Sequence, residues 1–365
     1  MNASAPRVLS IPPGAPFLPT LADALLSGRL IPGFQPGGDP LALADATIFV
    51  PTRRAARALR ATFAERLGGK AAILPVIRPL GDVDEDLAWF DTTLPPPPAL
   101  DPPIDSLERL LLLAPLVQAW KKRLPAHVAS LFEEEIVVPT SSAEAIWLAR
   151  DLAALIDEIE TAEADWTRLS GIVRDELATW WQVTLDFLRI VTSLWPEALA
   201  ERRRSNPAAH RSRLIDAEAE RLGRDPPRGP VIAAGSTGSI PATARLLRVI
   251  SRLPHGAVIL PGLDLALDDA AWNMLSGADA APSVFGHPQF GLNRLLGELG
   301  VARADVAELG AQAPDLAARA AIVSEALRPA EATEAWPESR RAVADAIGQG
   351  ALDGVTLVEA GNERD

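Results

Sequence analysis

The chain has 365 residues, of which 48% are hydrophobic and 23% are charged, a composition typical of a globular protein with about two or three domains. It contains no cysteine, which excludes disulfides, thiolate zinc sites, iron–sulfur clusters and cysteine nucleophiles within this sequence. The formal net charge of -13 argues against a broadly cationic nucleic-acid-binding surface, because phosphate contacts need positive charge. Any such contact must be confined to one groove of an otherwise acidic protein.

The sequence gives no sign of membrane insertion, secretion or metal binding. No apolar run reaches the roughly 18 residues that a membrane-spanning helix needs, and the N-terminus lacks a basic segment followed by a hydrophobic block. We therefore expect a cytoplasmic protein with no membrane contact. The four histidines do not have the spacing of metal ligands, so no metal site is expected; they are His127, His210, His255 and His287.

The first part of the chain has the pattern of an α/β layer. Strand-like runs at Arg7–Ile11, Thr47–Val50 and Ala72–Ile77 alternate with helical segments and proline-rich loops. A proline-dense run at residues 94–103 then interrupts regular structure and is typical of a stiff connector.

Apolar residues recur at helical spacing from Asp105 to Leu222, and a second proline-rich run follows at residues 224–230. The strand pattern then returns at Val231–Ala234 and Ala257–Leu260, on either side of a helix at Ala242–Ser251. Two similar junctions predict a helical domain inserted into one discontinuous α/β domain, whose four main strands should be neighbours in a parallel sheet. The predicted domains are 1–100 with 228–330 for the sheet core and 104–225 for the insertion.

A basic helix follows the second predicted strand, at residues 52–60. Thr52 is suited to cap it, and Arg53, Arg54 and Arg57 follow at helical spacing, near an N-terminus where the macrodipole favours anions. These four residues are the candidate DNA contacts. The alternative is an ordinary amphipathic helix whose arginines are only solvated.

The turn after the first strand lacks the parts of a phosphate-binding loop, which needs glycine amides and a lysine followed by Ser or Thr. Residues 11–20 keep Gly14, but three prolines remove amide donors from the turn. Pro19 stands where the lysine would precede Thr20. We expect no nucleotide triphosphate to bind there.

Two segments resemble motifs of superfamily 1 helicases. Residues 52–56, Thr-Arg-Arg-Ala-Ala, resemble motif Ia, Thr-Asn-Lys-Ala-Ala, which contacts single-stranded DNA. Residues 231–247 resemble the Walker B strand and the helix after it, but Ala234 and Gly235 occupy the positions of its acidic pair. Neither residue can hold Mg²⁺ or orient water, so this segment should have lost its chemistry.

A superfamily 1 core with both ATP motifs lost resembles the AddB family, in its alphaproteobacterial form. Members of this family pair with the AddA helicase-nuclease in double-strand break repair. Further local resemblance lies at residues 78–86, 286–296 and 324–331.

The resemblance implies an α/β fold, with a RecA-like (superfamily 1 helicase-like) parallel sheet core and an inserted all-helical domain. It also implies contacts with DNA and with an AddA-type helicase-nuclease, and neither catalytic residues nor a cofactor in this chain. AddB proteins are longer, with a second RecA-like region and a nuclease domain that carries cysteine ligands for an iron–sulfur cluster. Residues 331–365 are therefore expected to be a linker and the start of that second region, with a new strand from Val355.

Two other readings and one basic cluster stay open. The chain could be a nucleotide- or phosphate-binding α/β enzyme, such as a transferase, that uses Gly14 or the glycines at Gly235 and Gly238, or it could be a purely protein-binding scaffold. Separately, a basic cluster consists of the arginines at residues 202–204 with Arg211 and Arg213. It belongs either to a loop that binds nucleic acid or a partner, or to a plain exposed turn.

Overall fold

The computed structural model describes residues 5–36, 39, 41–80, 100–123, 141–166, 184–185, 187–276, 282–359 and 361. Its contacts divide the chain into two compact units, which we call the sheet unit and the helical unit. The sheet unit comprises Met1–Asp82, Ala219–Ser239 and Thr243–Asp365, and the helical unit comprises Val83–Glu218 and Ile240–Ala242.

The described residues of the sheet unit form one six-stranded sheet in the order β3-β2-β4-β5-β1-β6, and every pairing in it is parallel. The predicted α/β class with a parallel sheet is confirmed, and β2, β4, β5 and β1 are consecutive neighbours, as the sequence predicts. The strands are β1 (Val8–Ile11), β2 (Thr47–Val50), β3 (Val76–Pro79), β4 (Val231–Ala234), β5 (Gly256–Pro261) and β6 (Ala307–Glu308).

The described α-helices are numbered in chain order. They are α1 (Phe17–Leu26), α2 (Arg53–Leu67), α3 (Ser106–Arg123), α4 (Ser142–Thr161), α5 (Trp195–Arg202), α6 (Pro207–Arg224), α7 (Pro241–Arg252), α8 (Asp269–Met274), α9 (Phe290–Leu299), α10 (Pro314–Ala326) and α11 (Trp336–Gly348). Short helical turns lie at Ala42–Asp45, Ile190–Leu194, Pro282–Gly286, Arg303–Asp305 and Ala330–Ala335.

The central strands are continuous apolar runs because helices cover the sheet. All four residues of β4 are buried, as expected for a strand in the middle of a parallel sheet. Ile48 of β2 and Ile232 of β4 join Leu25 of α1 with Leu59 and Phe63 of α2 in one hydrophobic core. The apolar positions of α2 recur every three to four residues, which places them on one face of that helix.

The parallel arrangement places the carboxyl ends of the strands at one edge of the sheet, which we call the carboxyl edge. Strands β4 and β5 lie between β2 and β1, so the segments that follow these four strands come together there. In open parallel sheets ligands bind at this edge. A functional site is therefore expected at this edge.

The helical unit is built around α3 and α4. Leu113 and Val117 of α3 and Leu152 and Ile156 of α4 are buried in its core, together with Trp195. A capping box starts α4. The Ser141 hydroxyl accepts a hydrogen bond from the Glu144 amide at 3.2 Å, and the Glu144 carboxylate accepts one from the Ser141 amide at 3.0 Å.

Three predicted segments differ in the structure. Strand β3 covers Val76–Pro79 and not residues 72–77, because β2 begins at Thr47 and pairs only with those four residues. Within the predicted linker 331–365, residues 336–348 form α11, which packs on α10. No strand forms at residues 355–359, because an extended segment is stable only beside another strand and the side chain of Leu357 is 95% exposed.

Some predicted features lie outside the described residues. They include most of the proline-rich run at residues 94–103, the part of the 78–86 segment after Leu80, and His127. The predicted domain boundaries, at residues 100–104 and 225–228, differ from the unit boundaries at 82–83 and 218–219. The second unit boundary falls within α6.

Among the described helices, none combines the length and the apolar character that crossing a membrane requires.

Replacing Gly256 with alanine should destabilise the sheet unit by about 2–4 kcal/mol, because a methyl group there would overpack the start of β5. The new Cβ would lie 1.9 Å from the Ile250 carbonyl oxygen, which belongs to the backbone of α7 and cannot move away cheaply. Urea unfolding followed by circular dichroism measures the effect.

Gly297→Ala is the matched control, since a Cβ at this position of α9 meets no atom within 4 Å. It should leave stability unchanged or raise it by about 0.5–1 kcal/mol, because alanine is the better helix former. Equal unfolding midpoints for the two variants would contradict the close approach of α7 and β5.

Candidate nucleic-acid interface

The turn between β1 and α1 has few amides to offer a phosphate group. Gly14 has a left-handed backbone with φ of +85°, and the turn is closed by the Ala15 amide, which donates to the Pro12 carbonyl at 3.2 Å. Pro19 has no amide hydrogen, and the Thr20 amide donates to the Pro16 carbonyl at 2.9 Å. The amides of Ala15 and Thr20 are thus already used in backbone hydrogen bonds of this turn.

Leu316 of α10 and Gln312, just before that helix, contact this turn. A Cβ built on Gly14 would lie 3.0 Å from the Cβ of Leu316, so the glycine is needed for this contact. The Gln312 side-chain amide donates to the Pro13 carbonyl, and to the Leu316 carbonyl at 3.3 Å. These contacts hold the start of α10 against the turn between β1 and α1.

Thr20, in the first turn of α1, is also in a packing contact. A Cβ built on Gly310 would be 2.6 Å from the Thr20 methyl carbon, and Gly310 has φ of +96°. The threonine side chain is thus held against the segment that precedes α10.

The segment after β4 lies next to the same turn. Ala234 is buried, and the Gly235 amide donates to the Ile259 carbonyl at 2.9 Å. A Cβ on Gly235 would lie 3.5 Å from the ring of Phe17 and 3.7 Å from Pro51. The Phe17 ring therefore packs beside Gly235, so the turn after β4 makes an apolar contact.

The same packing explains the glycines that could otherwise have formed a phosphate site. Gly14, Gly235 and Gly238 all have positive φ, and a Cβ on Gly238 would be 2.6 Å from the Leu295 side chain. Each glycine allows a sharp turn against an apolar side chain. Their presence needs no bound phosphate.

Helix α2 begins where β2 ends, at the carboxyl edge. The Thr52 hydroxyl accepts a hydrogen bond from the Ala55 amide at 3.1 Å, so the predicted N-cap is present. Ala56, Leu59 and Phe63 bury one face of the helix in the core of the sheet unit. This anchoring leaves the opposite face to carry the arginines.

Arg54 and Arg57 are exposed near the N-terminus of α2, and Arg53 is half-buried. The first turn of the helix contains no acidic residue. Cations at this end face the positive end of the helix dipole, which costs about 0.3–1 kcal/mol each at an exposed site. A bound phosphate would remove this repulsion. Arg60 has a different role, since its guanidinium donates to the Ile77 carbonyl of β3 at 2.9 Å.

An ionic cluster that sequence reasoning missed connects two of the segments singled out by resemblance. The Arg328 guanidinium contacts Asp268, and it donates to both oxygens of Glu325, at 3.0 Å and 2.9 Å. The Arg328 side chain is only 7% exposed. The His287 ring nitrogen Nε2 donates to the Leu327 carbonyl at 2.7 Å, which joins residues 286–296 to residues 324–331.

The charges of this cluster shift the pKa values of its two carboxyl groups. The Ala271 amide at the N-terminus of α8, and then Arg328, lower the pKa of Asp268. The hydrogen bond from Arg328 lowers the pKa of Glu325. The charged residues at 324–331 do not by themselves predict this cluster, because Asp268 lies 60 residues from Arg328 in the sequence.

Gln289, also within the 286–296 segment, holds the chain at the carboxyl end of β5. Its side-chain amide donates to the Gly262 carbonyl at 3.0 Å and accepts from the Asp264 amide at 3.1 Å. The carboxyl edge is therefore fixed from two sides, by α10 next to β1 and by Gln289 next to β5.

Within the described ranges, no group of three or more histidine, aspartate or glutamate side chains is placed to hold a metal ion. No protein-family model matches the chain, and no curated protein sequence matches it significantly.

Arg328→Gln should lower the free energy of unfolding by about 2–4 kcal/mol, because it leaves two carboxylates without their shared cation. The two lowered pKa values stabilise the fold at neutral pH, and this stabilisation is lost as the pH falls below about 4. The variant should therefore show a shallower loss of stability on acidification. Urea titrations at pH 7 and pH 3 measure both effects.

Arg294→Gln removes the same charge from an exposed position on α9 and should change stability by less than about 0.5 kcal/mol. A loss in Arg294→Gln that equals the loss in Arg328→Gln would mean that net charge, and not the cluster, sets the stability.

Proposed function

We propose that this chain is the non-catalytic, helicase-like part of an AddB-type subunit of a double-strand break repair nuclease, that it acts in the cytoplasm, and that it binds DNA along α2. The observation that carries the proposal is the pairing of two features at one sheet edge. Arg54 and Arg57 are exposed at the start of α2, while Phe17 packs beside Gly235 and Leu316 packs against Gly14, in the turns that follow β4 and β1.

The α2 arginines suit a phosphate backbone better than a single small anion. Arg54 and Arg57 are one helical turn apart on an exposed surface, so that each can contact a different phosphate of one strand. The hydroxyl of Thr52 is already used by the cap, which assigns it to holding the helix end in place. With a net charge of -13 on the whole chain, affinity should be weak and strongly dependent on salt.

The helical unit is the part that we assign to the helicase-nuclease partner. Large apolar side chains are exposed on α3 and α4, among them Leu107, Leu111 and Trp147, with exposed fractions of 63%, 57% and 68%. Exposed apolar groups of this size favour a protein–protein contact. DNA recognition and partner binding would then lie on separate units of the chain.

Replacing Arg53, Arg54 and Arg57 with glutamate should abolish binding of single-stranded DNA at low ionic strength. The double variant Arg54→Glu with Arg57→Glu should weaken this binding but not abolish it. Each lost phosphate contact should reduce the slope of log K against log salt by roughly 0.7 for a single strand. Acidic residues in the first turn also favour the helix dipole, so these variants should stay folded. Fluorescence anisotropy with a labelled oligonucleotide, in a salt series, measures both quantities.

The control reverses two other exposed arginines, Arg248 on α7 and Arg294 on α9, and so changes the net charge as much as the double variant does. It should bind DNA nearly as well as the unmodified chain. Equal binding by the α2 variants and the unmodified chain would mean that these arginines are only solvated, and the function would reduce to a protein-binding scaffold.

A further inference from the structure

The helical unit contains a cavity of about 840 Å³ between α3, α4 and α6, whose lining is rich in arginine. This volume lies in the range of small-molecule sites, which is about 300–1,000 Å³. Two members of the basic cluster noted in the sequence, Arg204 and Arg211, line it together with Arg109 and Arg150. Asp105 and Asp157 are the acidic residues of its lining.

The wall that carries Arg204 is built from two chain segments joined by hydrogen bonds. The Ile104 amide donates to the Ser205 carbonyl at 2.9 Å, and the Ser205 amide donates to the Pro102 carbonyl at 3.0 Å. The Ser205 hydroxyl and His210 Nδ1 both bond to the Asp101 carbonyl, at 2.7 Å and 3.1 Å. The cavity wall is therefore held in place before any ligand enters.

The left-handed backbone of Arg203 separates the arginines of the 202–204 cluster. Arg203 has φ of +51°, a conformation that is costly for a residue other than glycine, and it ends α5. The reversal places Arg204 in the lining, while Arg203 stays exposed and outside it. The unfavourable backbone conformation of Arg203 therefore directly precedes the arginine that lines the cavity.

Arg109 is the most buried arginine of the lining. Its side chain is 7% exposed, and its guanidinium contacts Asp157 at 2.7 Å and the Ala153 carbonyl at 2.8 Å. Within the described part of the chain its Nε has no hydrogen-bond partner. Asn206 donates to the other oxygen of Asp157 at 3.0 Å. Asp157 is therefore neutralised and does not repel an anion.

The other acidic residue of the lining, Asp105, also has hydrogen-bond partners. Asp105 caps α3, since its carboxylate accepts from the amides of Leu107 and Glu108 at 2.8 Å and 3.3 Å. Among the described residues no carboxylate pairs with Arg150 or Arg204. The residues that line the cavity include four guanidiniums and two carboxylates, a formal net charge of +2.

We propose that this cavity binds a phosphomonoester dianion, with Arg150, Arg204 and Arg211 as its direct ligands and Arg109 as the buried charge behind them. Guanidinium groups match phosphate oxygens in pairs of parallel hydrogen bonds, and a dianion matches the net charge of the lining. The cavity is far larger than a phosphate group alone, so there is room for an organic group attached to it. The phosphate could belong to a small metabolite or to the 5′ end of a nucleic acid.

The test is isothermal titration calorimetry of the full chain with inorganic phosphate, AMP and adenosine, in a chloride buffer of low ionic strength. Phosphate should bind in the millimolar range and AMP more tightly, while adenosine should not bind, because the charge provides the affinity. Arg204→Gln and Arg150→Gln should each weaken AMP binding by about tenfold or more.

Arg203→Gln is the matched control, because it removes the same charge one residue away, outside the lining, and keeps a side chain in the same backbone conformation. It should change AMP affinity by less than about twofold. The proposal is overturned if neither phosphate nor AMP binds at about 10 mM, or if Arg203→Gln weakens binding as much as Arg204→Gln does.

The source of the phosphate is distinguished by a short single strand with either a 5′-phosphate or a 5′-hydroxyl. A preference for the 5′-phosphate that Arg204→Gln removes, and that Arg203→Gln keeps, assigns the cavity to a nucleic-acid end. Binding of AMP without that preference assigns it to a small metabolite. Because α2 and the cavity are changed separately, failure of one proposal leaves the other intact.

Discussion

The apolar packing at the carboxyl edge of the sheet is the constraint on which the rest of the account depends. Phe17 stands beside Gly235, and Leu316 lies against Gly14, so hydrophobic side chains occupy the place where parallel α/β sheets usually hold a ligand. This packing joins α1 and α10 to the ends of β1 and β4. A site filled in this way gains stability from burial and loses the open space that phosphate chemistry needs.

Among the described residues of this edge, the exposed Arg54 and Arg57 at the start of α2 are placed to attract an anion. Arg53 and Arg54 in the first turn, with Arg57 just after it and no acidic residue in that turn, make the helix end less stable than it could be. Such an arrangement is understandable if a phosphate backbone neutralises it. The helical unit carries arginines in a cavity of its own, so both proposed phosphate sites belong to a chain whose net charge is -13.

The sequence predicts those features whose information is local. The buried run of β2 and the cap at Thr52 lie within a few residues of each other, and the parallel sheet follows from alternating strands and helices. The contacts of Gln312 with Pro13 and of Arg328 with Asp268 join residues far apart in the chain, and no spacing rule reports them. The predicted strand from Val355 does not form for the same reason, since a strand needs a neighbouring strand that the local sequence pattern does not reveal.

The measurement that tests the central claim most directly is calorimetric titration of the full chain with Mg-ATP, combined with an assay for released phosphate. A filled carboxyl edge predicts no hydrolysis and no micromolar binding, and any weak millimolar binding should disappear in Arg204→Gln, because it would come from the cavity of the helical unit. Micromolar Mg-ATP binding that persists in Arg204→Gln would contradict the account, since it would require Phe17 and Leu316 to leave the edge.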